Sequence, residues 1–154
     1  MELSRILTPD RIRVPLAATE KSAAIAELVD VLVSGKAIID RDAALKAVLK
    51  RESERSTGIG YGLAIPHGKS EACVNLAMAA GKPAEPIAFQ SLDGRPVTLI
   101  VMLVSPPDQT GPHIQALAKI SRLMNIEDFR NAMAKAATPQ ELHAAIVAYE
   151  SRDS

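Results

Sequence analysis

The sequence predicts an α+β fold, a three-layer α/β/α sandwich in which a central mixed β-sheet is flanked by helices on both faces. Three observations lead there. Apolar runs of strand length gather in the middle of the chain, at residues 74–80, 87–89 and 97–104, separated by Pro83, Pro86 and Asp93-Gly94-Arg95-Pro96. Segments with helical spacing of apolar residues lie on both sides of that block. Aromatic residues make up only 3% of the 154 residues and tryptophan is absent, so the core has to be built from Ala, Leu, Ile, Val and Met, which suits helices packed on a sheet.

Taken in order, Ile12, Val14 and Leu16 alternate as a strand, and Pro15 predicts that it lies at an edge. Ile25, Leu28, Val29 and Leu32 define a helix over 21–34 that stops at Gly35. Asp40 is a good N-cap for a second helix burying Ala44, Leu45, Val48 and Leu49 and ending in Lys50-Arg51-Glu52. After the middle strands, a helix is expected to start behind Gly111 with Pro112 at its first position. A short helix over 127–136 follows. Thr138-Pro139-Gln140-Glu141 is a capping box that opens the last helix, with Leu142, Ile146 and Tyr149 inward. Without repeats, low-complexity tracts or a linker, residues 1–154 are expected to form one domain.

Composition removes several classes of function. Eighteen basic residues balance eighteen acidic ones, so there is no electrostatic reason to expect nucleic acid or an anionic membrane as partner. The only cysteine, Cys73, rules out an internal disulfide and reads as a buried, inert thiol. Neither a signal peptide nor a run long enough to span a bilayer is visible, which predicts a cytoplasmic protein without membrane insertion.

The chemistry concentrates in Ser56-Thr57-Gly58-Ile59-Gly60-Tyr61-Gly62-Leu63-Ala64-Ile65-Pro66-His67-Gly68. Glycines there allow unusual backbone conformations and leave N–H groups reachable. Pro66 and Gly68 frame His67 as a rigidly held imidazole with open space beside it. Of the other histidines, His143 reads as a partly exposed helix residue. His113 falls in the first turn of its helix, where N–H groups and the helix dipole favour an anion, and its role stays open on sequence alone. Two histidines without further ligands at metal spacing make a poor zinc site. A nucleophile elbow, a Walker loop and a complete dinucleotide fingerprint are all missing. What remains is a nucleophilic imidazole, an anion-favouring helix start and a cation from Arg51 or Arg55, the parts that phosphoryl transfer through phosphohistidine needs.

Arg51-Glu52, Ser56-Thr57-Gly58-Ile59-Gly60 and Ala64-Ile65-Pro66-His67-Gly68-Lys69 closely resemble the phosphorylation-site signature of fructose–mannitol-type enzyme IIA domains of the bacterial phosphoenolpyruvate-dependent phosphotransferase system. Pro107-Asp108-Gln109-Thr110 and His113 extend the resemblance, which covers nearly the whole chain. It implies that His67 accepts a phosphoryl group through Nε2 from an HPr-like phosphocarrier protein. His113 would bond the phosphoryl oxygens and Arg51 would supply charge, with Ser56, Thr57, Gly58 and Gly60 as phosphate-binding residues. No metal, nucleotide or other cofactor is implied.

Pro86-Ile87-Ala88-Phe89 and Asp93…Pro96-Val97 are similar to the nitrogen-regulatory branch, whose members bind regulated target proteins according to phosphorylation state. With no fused channel, carrier or B component in view, the reading is a nitrogen/potassium-type regulatory switch. The alternatives are a fructose- or mannitol-specific enzyme IIA serving a IIB component, and a non-catalytic binding module of the same fold. A weak homodimer is compatible with either. Tyr61 departs from the regulatory branch, where a small polar residue, usually Asn, is expected.

Overall fold

The computed structural model describes residues 1–153. In chain order it contains α1 (Leu3–Ile6), a 3-10 turn (Pro9–Arg11), β1 (Ile12–Leu16), α2 (Lys21–Ser34), α3 (Arg41–Glu54), β2 (Gly58–Gly60), β3 (Leu63–Ala64), β4 (His67–Lys69), β5 (Ala77–Pro83), β6 (Leu99–Ser105), α4 (Thr110–Met124), α5 (Glu127–Lys135) and α6 (Pro139–Asp153). The strands form one mixed sheet in the order β1-β5-β6-β3-β2, with β4 also on β6. The β1–β5 pair is parallel, β5–β6 antiparallel, and β3 and β4 both run parallel to β6. The proline-bearing β1 lies at the edge, as its sequence predicts.

The central strand β6 is buried along its whole length, which is why it reads as a continuous apolar run without alternation. Its residues nevertheless serve two cores. Ile100, Met102 and Val104 pack with α2 and α3 residues such as Leu28 and Val48. Leu99, Val101 and Leu103 pack with Ala116, Phe129 and Leu142 from α4, α5 and α6. Alternate faces of one strand feeding two separate helix layers make the predicted three-layer sandwich.

Local signals set most helix boundaries. The α2 limits coincide with the predicted 21–34, and the Asp40 side chain caps α3 by accepting from the Ala43 N–H at 3.2 Å. At α6, Thr138 Oγ1 accepts from the Glu141 N–H (3.1 Å), but the Glu141 carboxylate reaches back to the Ala137 N–H (2.7 Å), one residue before the usual capping-box donor.

Three expectations need correction. The strand expected from residue 74 begins at Ala77, because the Val74 N–H is spent on the Ala37 carbonyl. Residues 87–89 form no strand; Ile87 and Val97 make a single two-bond bridge (2.9 and 2.8 Å), and β6 therefore starts at Leu99. Helix α4 begins at Thr110, two residues ahead of Pro112. The Gly-rich stretch, in turn, is itself part of the sheet, as β2, β3 and β4.

Candidate functional site

The segment from Leu63 to Lys69 behaves as one strand despite Pro66. Leu63 and Ala64 oppose Leu99 and Ile100, and His67, Gly68 and Lys69 continue in the same register opposite Leu103, Val104 and Ser105. The Pro66 carbonyl accepts the Leu103 N–H at 3.0 Å, while the Ile65 N–H turns to the Thr57 carbonyl at 3.1 Å. His67 thus stands on a sheet strand next to the central one, a stiffer mount than a loop provides.

Each glycine here has a distinct use. Gly60 (φ +108°), Tyr61 (φ +57°) and Gly62 (φ +75°) make the tight β2–β3 turn, at the end of the strand remote from His67. The left-handed conformation at position 61 is what favours asparagine there, and Tyr61 holds it with its exposed ring 4.1 Å from the Arg130 guanidinium. At Gly68 the constraint is packing: a Cβ would lie 3.2 Å from backbone atoms of Ala47 and Val48. That close approach of β4 to α3 brings Arg51, one turn beyond Ala47, to the edge of the same depression as His67.

The imidazole of His67 is half-buried. Its Nδ1 lies 2.7 Å from the Ile65 carbonyl, which can only accept, so the hydrogen sits on Nδ1 and Nε2 carries a free lone pair. The His113 ring stands edge-on to it, 5.5 Å between centroids. His113 is buried, and its Nδ1 lies 2.6 Å from the hydroxyl of Ser105, the last residue of β6. The hydroxyl can donate to or accept from Nδ1; with Ser105 donating, the His113 hydrogen sits on Nε2, where it is a donor. Arg51 donates to the Arg55 carbonyl (2.9 Å) and keeps its other guanidinium N–H groups available. Lys69 donates to Thr110 Oγ1 at 3.0 Å.

These groups border an open depression of about 580 Å³ whose polar lining is Lys50, Arg51, Lys69, His67, His113 and one carboxylate, Glu54. A second depression of about 270 Å³ shares His67 and Arg51 and adds Arg55, Ser56 and Thr57 beside the apolar Ile59, Leu92 and Leu117. The structure therefore brings together His67, His113 and Arg51. The other expected phosphate-binding residues are placed differently. The Ser56 hydroxyl donates to the Phe89 carbonyl (2.5 Å) and accepts from the Gly58 N–H (3.1 Å). The Thr57 N–H and hydroxyl both go to Glu52. Gly58 packs against Ser91, Gly60 belongs to the remote turn, and neither lines the two depressions.

Burial pushes His67 below the ordinary histidine value of 6.5; Arg51 adds to this, against the Ile65 carbonyl bond and Glu52. Burial, then His67 and Lys69, push His113 down to about 4. Both rings are neutral at pH 7, as a nucleophile and a neutral donor require. Protonation would occupy the Nε2 lone pair of His67. If that nitrogen accepts a phosphoryl group, as the resemblance implies, acceptance measured from pH 8 down to pH 5 stays level through neutrality and falls only below 6.5.

The remaining residues with reactive side chains are structural. His143 Nε2 donates to the Ser4 carbonyl at 2.9 Å, and burial raises the Cys73 thiol to about 11. Among the described residues no group of three His, Cys, Asp or Glu side chains could hold a metal ion, and no helix is long and apolar enough to cross a membrane. Sequence reasoning missed the Ile65 carbonyl, which sets the His67 tautomer, and Ser105, which anchors the His113 ring at Nδ1. Neither has a one-dimensional signal, since each acts only through strand register.

Residues 5–149 match the family model described as "Phosphoenolpyruvate-dependent sugar phosphotransferase system, EIIA 2". The chain belongs to this family. As an enzyme IIA it is a phosphocarrier and phosphotransferase component that works through a phosphohistidine intermediate. It is 36% identical to the fructose-specific EIIABC component of Bacillus subtilis over 88% of the chain but spans only 21% of that protein. It is 35% identical to the fructose-specific EIIA component of Haloferax volcanii, with 90% of each covered. It is 30% identical to a nitrogen regulatory protein of Bradyrhizobium diazoefficiens, with 95% of each covered.

Among solved structures, the chain superimposes on nitrogen regulatory protein IIA-Ntr of Neisseria meningitidis with a TM-score of 0.86 at 26% identity, covering 94% of this chain and 98% of that one. It shares its fold with Escherichia coli enzyme IIAMtl, solved in complex with phosphorylated IIBMtl (TM-score 0.78, 20% identity, 92% and 97% covered).

Proposed function

We propose that the chain acts as a single enzyme IIA domain over residues 1–154 in which His67 accepts the phosphoryl group at Nε2 from an HPr-like phosphocarrier, and that its phosphorylation state switches the binding of regulated proteins. The observation that carries the site assignment is the Nδ1–H···O=C bond from His67 to Ile65, which leaves Nε2 as a free lone pair between Arg51 and His113.

In the transfer, the Nε2 lone pair attacks the phosphorus of the carrier's phosphohistidine. The donor P–N bond breaks as the new one forms, and the departing carrier imidazole keeps the electron pair. The His67 ring gains positive charge, which strengthens its Nδ1–H bond to Ile65. The His113 Nε2–H and the Arg51 guanidinium face the equatorial oxygens, while the open depression leaves the opposite side of phosphorus to the partner. A doubly charged phosphoryl group placed between the apolar Ile59, Leu92 and Leu117 and the cations Arg51 and Lys69 changes what that surface can bind.

His113→Ala removes one oxygen donor and is expected to slow labelling about a hundred-fold while leaving it detectable, on the scale of other lost transition-state donors. An unchanged rate would take His113 out of the site.

A second reading, a fructose- or mannitol-type component that passes phosphate to a cysteine on IIB, is favoured by the higher identity to fructose-specific relatives, 36% and 35% against 29% to 31% for nitrogen regulatory proteins. The fold similarity to IIA-Ntr favours the regulatory role. Both readings use the same His67 chemistry. Mixing phosphorylated protein with fructose- and mannitol-type IIB components decides between them: slow or absent transfer is expected for a switch, and rapid transfer establishes the transport role.

A further inference from the structure

Glu52 lies in the last turn of α3, yet its residue surface is only 5% exposed. A carboxylate so buried is tolerated only with full pairing. It accepts the Thr57 N–H (2.9 Å) and the Thr57 hydroxyl, and it pairs with Lys21 Nζ (2.8 Å) from the first turn of α2. Lys21 also donates to the Phe89 carbonyl (3.2 Å), the same acceptor that the Ser56 hydroxyl uses. The bonds continue inward from Thr57. Its carbonyl accepts the Ile65 N–H (3.1 Å), and the Ile65 carbonyl accepts His67 Nδ1–H (2.7 Å). An unbroken chain of contacts therefore runs from α2 through Glu52 to the ring of His67.

We propose that Glu52 is a positioning residue for phosphoryl transfer, fixing through Thr57 and Ile65 the tautomer and orientation of the His67 imidazole. The proposal rests on the reading of His67 as the phosphoryl acceptor. A neutral imidazole free in water prefers its hydrogen on Nε2, the form that cannot attack through Nε2. Only the Ile65 carbonyl holds the hydrogen on Nδ1, and the bond from the Ile65 N–H to the Thr57 carbonyl fixes the position of the residue that carries it. Anchoring Glu52 also fixes the helix turn that carries Arg51. Removing the anchor therefore disturbs the nucleophile and its neighbouring cation together, although Glu52 itself touches neither phosphorus nor partner.

The test is Glu52→Gln in the full chain, which keeps the volume but lacks the charge that pairs with Lys21 and the second acceptor oxygen for Thr57. The unphosphorylated variant is expected to show a raised fraction of the Nε2–H tautomer of His67 in long-range 1H–15N spectra, with helix content unchanged by circular dichroism. Labelling by the phosphorylated carrier is expected to slow by roughly ten- to a hundred-fold, the scale of a slightly misplaced reacting group. Thr57→Val removes the hydroxyl contact alone and is expected to shift both readouts the same way but less; it carries the test if Glu52→Gln does not fold. A wild-type tautomer ratio and labelling rate in the folded variant would overturn the proposal. The tautomer is read without any donor, so a wild-type protein that took no label at His67 would refute the acceptor assignment separately.

Discussion

Substituting His67 by alanine is expected to abolish phosphorylation: with phosphoenolpyruvate, enzyme I and the matching carrier, the wild type takes label and His67→Ala takes none above background. The expectation is this sharp because no other side chain combines the needed properties. His113 has a neutral ring only 5.5 Å away, but its Nδ1 is engaged by Ser105 and the ring is buried to 5% exposure. His143 is spent on the Ser4 carbonyl. Cys73 is buried with its thiol raised to about 11, far from the thiolate form that reacts. His67→Ala removes a half-buried ring that borders the open depression, so the folded population should be unchanged by circular dichroism. Equal labelling of the mutant would falsify the assignment.

The second large effect is expected at Gly68, through the fold. Its Cα faces the backbone of Ala47 and Val48 in α3, and even a bare Cβ would come within 3.2 Å of those atoms. Backbone of a packed helix cannot swing aside as a side-chain tip can, so Gly68→Val should push α3 away from β4. Overpacking of this kind costs about 1–3 kcal/mol, and at this chain length that lowers the melting temperature by roughly 2–4 °C per kcal/mol. The same displacement carries Arg51 away from His67, so labelling should slow as well. Gly111→Ala is the contrasting case: nothing lies within 4 Å of the added Cβ, the position is helical, and stability should hold or rise by up to ~1 kcal/mol. Urea titrations of the two variants beside wild type check both statements. Equal stability of Gly68→Val and wild type would mean that the β4–α3 approach is less constrained than described.

The history of Gly68 shows how far sequence reading reaches. Its glycine was legible as making room near His67, but what it makes room for, the backbone of α3, depends on a pairing of distant segments. The same holds for the rest of the stretch. Gly-x-Gly reads as a ligand cradle when N–H groups are imagined free; in the fold the Gly58 N–H goes to the Ser56 hydroxyl, and Ser56 and Thr57 turn their polar atoms to Phe89 and Glu52. Helix limits such as 21–34 and the Asp40 cap were legible because the signals are local and periodic. The strand expected at 87–89 was not, because three apolar residues look alike in a strand and in a single bridge. His113 is the instructive intermediate. Its helix-start position suggested an anion site, yet only the register of β4 and α4 against β6 places it beside His67.

The regulatory role and the identity of partners rest on surface chemistry. Tyr61, which departs from the regulatory pattern, sits in the β2–β3 turn stacked with Arg130, at the other end of the strand from His67. Its departure therefore says little about the transfer site and leaves both readings of the readout with the same catalytic parts.

The most direct measurement is the nitrogen that carries phosphorus. In 1H–15N–31P spectra of the phosphorylated wild-type chain, coupling is expected between phosphorus and Nε2 of His67, with the hydrogen retained on Nδ1 and held by the Ile65 carbonyl. Phosphorus coupled to Nδ1 of His67, or to either nitrogen of His113, would contradict the geometry from which the whole mechanism is built.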